Sequence, residues 1–404
     1  MYVRHLSLTN FRLYARLELG LERGLTVLQG DNAQGKTSLL EALYMLATSR
    51  PAHTNADRQV IRWGAEAEGP YPFAVLRAQV VRADGLRLLE MLVQRTEGDR
   101  LRKEVRIDRA VKRGSDLVGQ LTVVLFTPND VELVGGAPAL RRDFLDAALC
   151  QVEPEYARAL HDYARALAQR NALLRRAAER NLPVDPDELA VWDEQLAPAG
   201  VRIALSRRQA LAELSEWAAP LHLELSAGRE YLHVAYQPNF DPAQPPATVP
   251  YQPRLDAAAP PHGFDYQTLV QAFLAALRAR RRDELARGVT LVGPHRDDLR
   301  LLANGMDLGE FGSRGQQRTA VLALKLAQAE WMRARSGESP VLLLDEVLAE
   351  LDPNRRRCLL ERIQRAEQVL VTATDVSRLD QAFVRQANLL SVRSGVICRA
   401  QLEG

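Results

Sequence analysis

Leu25-Thr-Val-Leu-Gln29 runs without interruption into Gly30-Asp-Asn-Ala-Gln-Gly-Lys-Thr37, and from there into Ser38-Leu-Leu-Glu-Ala-Leu-Tyr-Met-Leu46. The first five residues are β-branched and apolar, the pattern of a buried strand. The last nine place Leu39, Leu43 and Leu46 on one helical face. Between them stands a G-x-x-x-x-G-K-T phosphate loop. Gly30 and Gly35 let the backbone curl, so that the N–H groups of Asp31, Asn32, Ala33 and Gln34 converge on a phosphate. The helix that follows, with Ser38 in its first turn, aims its positive end at the same point. Lys36 is placed to reach the β- and γ-phosphates of a nucleotide, and the Thr37 hydroxyl suits a magnesium ion. Strand, loop and helix together predict an α/β protein with ATP and Mg2+ as ligands.

Val341-Leu-Leu-Leu-Asp345-Glu346 predicts a second buried strand that delivers two acids. Asp345 then joins Thr37 at magnesium, while Glu346 orients or deprotonates a water in line with the γ-phosphate. Many buried strands end in an acid, so this pattern gains its meaning from the phosphate loop. Phe311-Gly-Ser313-Arg314-Gly315-Gln316 opens a helix running to about Arg335. Taken alone, Ser313 is simply a good N-cap. In the order phosphate loop, Ser313–Gln316, Asp345–Glu346, it resembles the signature motif of ABC-type ATPases. That resemblance implies an anion site acting in trans on the γ-phosphate held by a partner subunit. Leu348-Ala-Glu350-Leu351-Asp352 stands where such ATPases carry a D-loop. Many of them also place a histidine after the next strand. Here Val369-Leu-Val-Thr372-Ala-Thr374-Asp375 has none, which leaves Thr372 or Thr374 to offer a neutral hydroxyl and implies slow hydrolysis. The usual mid-sequence glutamine is open between Gln94 and Gln120, with Thr127-Pro-Asn-Asp130 in the corresponding region.

Bulk composition bounds the rest. The chain has 404 residues, 47% hydrophobic, with a formal net charge of +2, so nucleic-acid binding would need local basic surface. Arginine dominates the 53 basic residues; the lysines are Lys36, Lys103, Lys112 and Lys325, a pattern that fits a GC-rich genome. Cys150, Cys358 and Cys398 are far apart, without disulfide or zinc spacing. No apolar run approaches the ~20 residues of a membrane span, and the start lacks the apolar core of a signal peptide. The expectation is a soluble, cytoplasmic protein.

Val3, Leu6, Leu8 and Phe11 predict an edge strand, and Leu17–Leu21 a second. Strand patterns recur over Phe73–Val81, Leu86–Gln94, Val105–Ile107 and Val289–Val292. Long helices are predicted over Ala137–Leu182, Leu189–Trp217 and Tyr266–Leu285, and an irregular proline-dense stretch over Gln237–Gly263. There are no repeats and no heptad run long enough for a coiled-coil arm. The expected organisation is an ABC-type head of mixed β-sheets and helices built from both chain ends. Residues 1–130 carry the phosphate loop, and 287–404 the signature, the Asp-Glu strand and the D-loop. A mainly helical lobe, 131–286, is inserted between them.

Leu8-Thr-Asn-Phe-Arg12-Leu-Tyr14 resembles the opening of the RecF family, and more loosely that of SMC and Rad50-type heads. The phosphate loop with its continuation Ser49-Arg-Pro-Ala-His53 is similar to RecF, as are Phe126–Asp130, Arg141–Asp146, Gln169–Leu174 and Gly293-Pro-His-Arg-Asp-Asp298. The resemblance spans nearly the whole chain. It implies a recombination mediator that dimerises around two ATP molecules and binds single-stranded, double-stranded and gapped DNA. It also implies work with RecR and RecO in loading RecA, in repair, replication restart and the SOS response, with DNA-dependent ATPase activity and association with the nucleoid. It places Arg12 near the nucleotide phosphates; the residue pattern alone allows a surface arginine. For DNA contacts the candidates are Arg141, Arg142, Arg278, Arg280 and Arg281, each more readily read, taken singly, as part of a solvated helix face paired with nearby acids. Three other readings share some motifs. A transporter ATPase subunit leaves the long insertion unexplained, a small-molecule kinase leaves Ser313–Gln316 unexplained, and a structural SMC-like protein wants a coiled coil.

Overall fold

The computed structural model describes residues 1–52, 57–65, 69, 71–97, 100–180, 185–241, 265–376 and 381–399. His53 and most of the proline-dense stretch, from 242 onward, lie outside these residues. The N-terminal part runs β1 (Tyr2–Phe11), β2 (Tyr14–Gly20), β3 (Gly24–Gln29), α1 (Lys36–Thr48), β4 (Phe73–Arg82), β5 (Gly85–Thr96), β6 (Arg100–Ile107), β7 (Ala110–Lys112), α2 (Gly114–Leu117) and β8 (Val123–Phe126). The middle runs α3 (Glu132–Gly135), α4 (Pro138–Val152), α5 (Pro154–Arg180), α6 (Pro186–Leu225), β9 (Leu232–Gln237), α7 (Tyr266–Arg287), β10 (Asp298–Ala303), β11 (Met306–Asp307) and α8 (Arg314–Ser336). The chain ends with β12 (Val341–Asp345), α9 (Pro353–Ile363), β13 (Gln368–Ala373), α10 (Gln381–Arg385), β14 (Asn388–Arg393) and β15 (Val396–Arg399).

The chain packs as two compact units. The first holds residues 1–130, 150–154 and 325–404, the second 131–149 and 155–324. The return to the first unit therefore comes at Lys325, later than the 287 read from the sequence. The reason is β10, which pairs antiparallel with β9 from Asp298↔Gln237 to Ala303↔Leu232 and so stays with the inserted residues. Ser313–Gln316 belongs to this second unit as well.

The first unit contains two six-stranded sheets. One is antiparallel, in the order β2-β1-β4-β5-β6-β7; the other is β15-β14-β3-β13-β12-β8, parallel except for β15. β1 is not the edge strand that its alternation suggested. It pairs with β2 on one side and β4 on the other, and alternation reports a buried face without reporting neighbours. Helix α1 is apolar nearly all round because it packs against both sheets. Leu39, Leu40, Leu43 and Leu46 share one buried cluster with Leu6, Leu8 and Leu76 of the antiparallel sheet and with Leu28, Leu343 and Leu370 of the parallel one. Each such leucine stabilises the unit by about 1.5–3 kcal/mol, so the helix that opens at the phosphate loop is fixed in place.

The second unit contains α5, α6 and α7 and a three-stranded sheet β11-β10-β9. Val289–Val292 is not a strand. Its amides find partners outside any sheet: Val289 N–H donates to the Glu284 carbonyl, Thr290 N–H to Asn171 Oδ1 at 2.8 Å and Leu291 N–H to Glu284 Oε1 at 2.7 Å. Around it lies a buried polar network. Fully buried Arg170 donates to Asp193 (2.7 Å), Glu284 (2.7 Å) and Thr290 (2.8 Å). Arg207 donates to both oxygens of Asp146, to Asp297 and to the Pro294 carbonyl. His295 Nδ1 lies 2.7 Å from the Tyr163 hydroxyl and Nε2 lies 3.2 Å from the Thr290 carbonyl. This assigns the proton to Nε2 and makes Nδ1 the acceptor.

Candidate nucleotide-binding site

The phosphate loop leaves β3 at its C-terminal edge, the side of a parallel sheet where ligands gather. Two contacts explain its glycines. A Cβ on Gly30 would lie 2.3 Å from the Val392 carbonyl oxygen of β14. Gly35 has φ +109, and its Cβ would press on the Tyr14 ring and hydroxyl. That hydroxyl donates to the Gly35 carbonyl at 2.9 Å, and burial pushes the Tyr14 pKa above its ordinary value, keeping the donor protonated. Gln34 is clasped from the far end of the chain, by Gly395 N–H on its carbonyl and Ser394 N–H on its Oε1. No side chain caps the start of α1, so the first-turn N–H groups face the cleft.

Lys36 is buried. Its Nζ donates to the carbonyls of Gly30 (2.7 Å) and Asp31 (2.9 Å) and lies 3.2 Å from Glu346 Oε1. Thr37 Oγ1 lies 3.0 and 2.9 Å from the two oxygens of Asp345. Glu346 follows at φ +53, outside the range a strand residue prefers. An open cleft of about 310 Å³ is lined by Asn32 to Ser38 with Leu13, Pro128, Asp345 and Glu346. The structure thus gathers the loop and the Asp-Glu pair, which are separated by more than 300 residues in sequence, into one cleft.

Other expected residues lie elsewhere or do other work. Arg12 makes a two-pronged pair with buried Glu41 (2.9 and 2.7 Å) and donates to the Gln59 carbonyl, while Leu13 rather than Arg12 lines the cleft. Gln94 sits in β5 opposite Phe73 and Arg102, and Gln120 donates to the Asp116 carbonyl. Neither reaches the cleft; Pro128 does. Thr372 does not point its hydroxyl outward, because that group donates to Asp345 at 2.8 Å. Thr374 is exposed past the end of β13. Asp352 caps α9, accepting from Asn354 N–H and Arg355 N–H. Glu350 is exposed and Leu351 buried.

In the second unit, Ser313 and Gln316 form a reciprocal cap at the start of α8. Ser313 N–H donates to Gln316 Oε1 (2.9 Å) and Gln316 N–H to Ser313 Oγ (3.3 Å). Ser313, Arg314 and Gly315 are exposed. Of the arginines considered for DNA, Arg141 is buried, bound through two nitrogens to Asp298 (2.6 and 2.9 Å) and through a third to the Gly136 carbonyl. Each of its nitrogens donates within the protein, so Arg141 acts as an internal tether. Arg142 donates to the Asp297 carbonyl, and Arg281 pairs with buried Asp193 at 2.8 Å. Arg278 and Arg280 are exposed on α7. Sequence reading missed Tyr14, Ser394 and the inward role of Thr372; Tyr14 and Thr372 lie inside stretches already singled out, whereas Ser394 left no signal.

A parallel core sheet bearing a phosphate loop and an Asp-Glu strand, flanked by an antiparallel sheet, defines an ABC-type ATPase head. The family model of the RecF/RecN/SMC N-terminal domain matches residues 2–397. The chain belongs to the RecF family of DNA replication and repair proteins. It is 45% identical to the DNA replication and repair protein RecF of Roseiflexus castenholzii over 98% of this chain and 99% of the relative. To that of Chloroflexus aurantiacus it is 46% identical, with the same coverage. A solved structure of the recombination mediator protein RecF-ATP in the RecFOR pathway superposes with a TM-score of 0.83 at 27% identity, covering 99% of this chain and 98% of that one. An Smc head bound to the C-winged helix domain of ScpA superposes at 0.52 with 13% identity, covering 100% and 98%, a likeness of fold alone.

Proposed function

We propose that the cleft binds ATP with Mg2+, and that ATP acts as a ligand that closes a homodimer on DNA. The observation that carries this reading is the meeting of Lys36, Thr37, Asp345 and Glu346 at one uncapped helix start. The backbone N–H groups of Asp31 to Gly35 and the first turn of α1, with Thr37 and Ser38, hold the phosphates. Lys36 exchanges its loop carbonyls and Glu346 for β- and γ-phosphate oxygens. Thr37 and Asp345, both hard oxygen donors, fit magnesium. When bound, that ion neutralises phosphate charge. Glu346, released from Lys36, orients and deprotonates the attacking water, which makes it the catalytic residue.

Ser313, Arg314, Gly315 and Gln316 of one subunit cap the γ-phosphate bound by the other. The segment Glu350–Asp352 meets its counterpart there, and Arg12 approaches the phosphates only on leaving Glu41. Without a histidine after β13, hydrolysis is slow, and it serves to release the dimer. The reading extends to single-stranded, double-stranded and gapped DNA, tracked through exposed arginines such as Arg278 and Arg280 without reading bases. RecR and RecO are its partners in loading RecA, in the cytoplasm and on the nucleoid.

Sedimentation of the protein with a labelled gapped duplex tests this. A dimer that joins DNA in ATP and leaves it in ADP is expected. Ser313→Arg should keep ATP binding and lose the dimer, and Glu346→Gln should trap it. ATP-dependent dimers that persist in Ser313→Arg would remove the in-trans arrangement.

A further inference from the structure

Thr372 stands in register with Asp345 across the β12–β13 pair. Its side chain is buried, and its hydroxyl is used twice. It donates to Asp345 Oδ1 at 2.8 Å, and it accepts the backbone N–H of Glu346 at 2.9 Å. The same Asp345 oxygen faces Thr37 Oγ1 at 3.0 Å. One hydroxyl therefore fixes the rotation of a carboxylate and also the peptide that leads into Glu346, which sits at the left-handed φ of +53. A valine here would match the shape and supply neither bond. Leaving the amide and the buried carboxylate oxygen without this partner is costly.

We propose that Thr372 is a positioning residue that sets two groups at once: the carboxylate that meets magnesium, and the backbone from which Glu346 reaches its water. This rests on the reading of Asp345 as magnesium ligand given above. Thr372 touches neither nucleotide nor metal. It acts through Asp345, whose oxygen it leaves oriented toward Thr37, and through the Glu346 amide, which it holds in a conformation a non-glycine residue adopts reluctantly.

The test uses the full chain, a fluorescent ATP analogue and a Mg2+ titration. Partners that orient a metal ligand typically change metal affinity by roughly 10–100-fold. Thr372→Val should therefore raise the Mg2+ concentration at half-maximal stimulation of nucleotide binding by about 10-fold or more. It should also lower kcat for ATP more than it changes KM. Thr372→Ser, which keeps the hydroxyl and drops the methyl, should behave like the parent in both measurements. Melting temperature and Mg2+-free nucleotide binding report folding, and Thr372→Ala replaces the valine variant should that one not fold. An unchanged Mg2+ midpoint in Thr372→Val, or a serine variant as impaired as the valine one, overturns the proposal. Asp345→Ala separates the two levels. If it leaves Mg2+ dependence intact, the magnesium assignment itself fails; if it abolishes the dependence while Thr372→Val does not, only the role of Thr372 fails.

Discussion

The phosphate cleft of the first unit and the arginine network of the second both bring cations and carboxylates together under cover, and they handle them in opposite ways. In the network, each nitrogen of the Arg170 and Arg207 guanidinium groups has an acceptor supplied by the unit itself. In the cleft, Lys36 is matched by two loop carbonyls and one movable carboxylate, and the α1 N–H groups face open space. The network is complete as it stands; the cleft is completed by something brought to it. Buried charge by itself therefore does not mark a binding site. What marks it is backbone polarity aimed at a cavity, with side-chain charges held in reach by partners they can exchange.

Substitutions can break or sharpen that contrast. The largest effect is expected from Lys36→Met, which removes the charge-assisted contacts to two phosphates and should weaken ATP binding roughly 100-fold or more, with the melting temperature little changed. Arg170→Ala should do the reverse. It leaves Glu284 buried without its cation and Asp193 with Arg281 alone, at a cost of about 3–5 kcal/mol in denaturant unfolding, while the ATP affinity of the folded fraction stays as it was. Equal effects of both variants on ATP affinity would erase the distinction between the two regions.

His295 sharpens the contrast further. Burial pushes its pKa down from 6.5 to about 4, so it is held neutral, as its acceptor role toward Tyr163 requires. Between those values the unfolded chain binds a proton that the folded chain refuses. Stability is therefore whole above pH 6.5 and falls as the pH drops toward 4, by up to about 3 kcal/mol for this group. His295→Gln should flatten that part of the stability–pH curve relative to the parent, and an unchanged slope would show that the imidazole is already charged. The smallest effects are expected on α7. Arg278→Ala and Arg280→Ala should each weaken duplex binding slightly and lower its salt-dependence slope by about one, with Arg280 the smaller of the two because Asp283 lies 3.4 Å from it.

The contrast also explains what could be read without a structure. The phosphate loop is eight consecutive residues with a strand before it and a helix after it, so its chemistry is local and its pattern is visible. The network is distributed: Arg141 finds Asp298 at a separation of 157 residues, and nothing in the pair Arg141-Arg142 tells a phosphate contact from a buried tether. The stretches 141–146, 169–174 and 293–298 looked like separate family marks, yet they supply Arg141 and Asp146, Arg170 and Asn171, and His295, Asp297 and Asp298 to the polar contacts inside one unit. Val289–Val292 reads as a strand by its apolar character; Asn171 and Glu284 take its amides, and no local pattern announces that. Thr372 could be assigned to the site but not aimed, because register with Asp345 decides where its hydroxyl points.

The clasp on Gln34 bears on how the protein is made. The strand that carries the loop, β3, lies between β13 and β14, and Ser394 closes on Gln34 from 360 positions away. A ribosome emits Ser394 only 360 residues after Gln34. At about 5–20 residues per second, the nascent chain spends on the order of tens of seconds with a phosphate loop that has no sheet to stand on. A polypeptide cut before the β14–β15 turn keeps every residue of the loop and lacks both contacts to Gln34, so it should bind ATP more weakly than the parent.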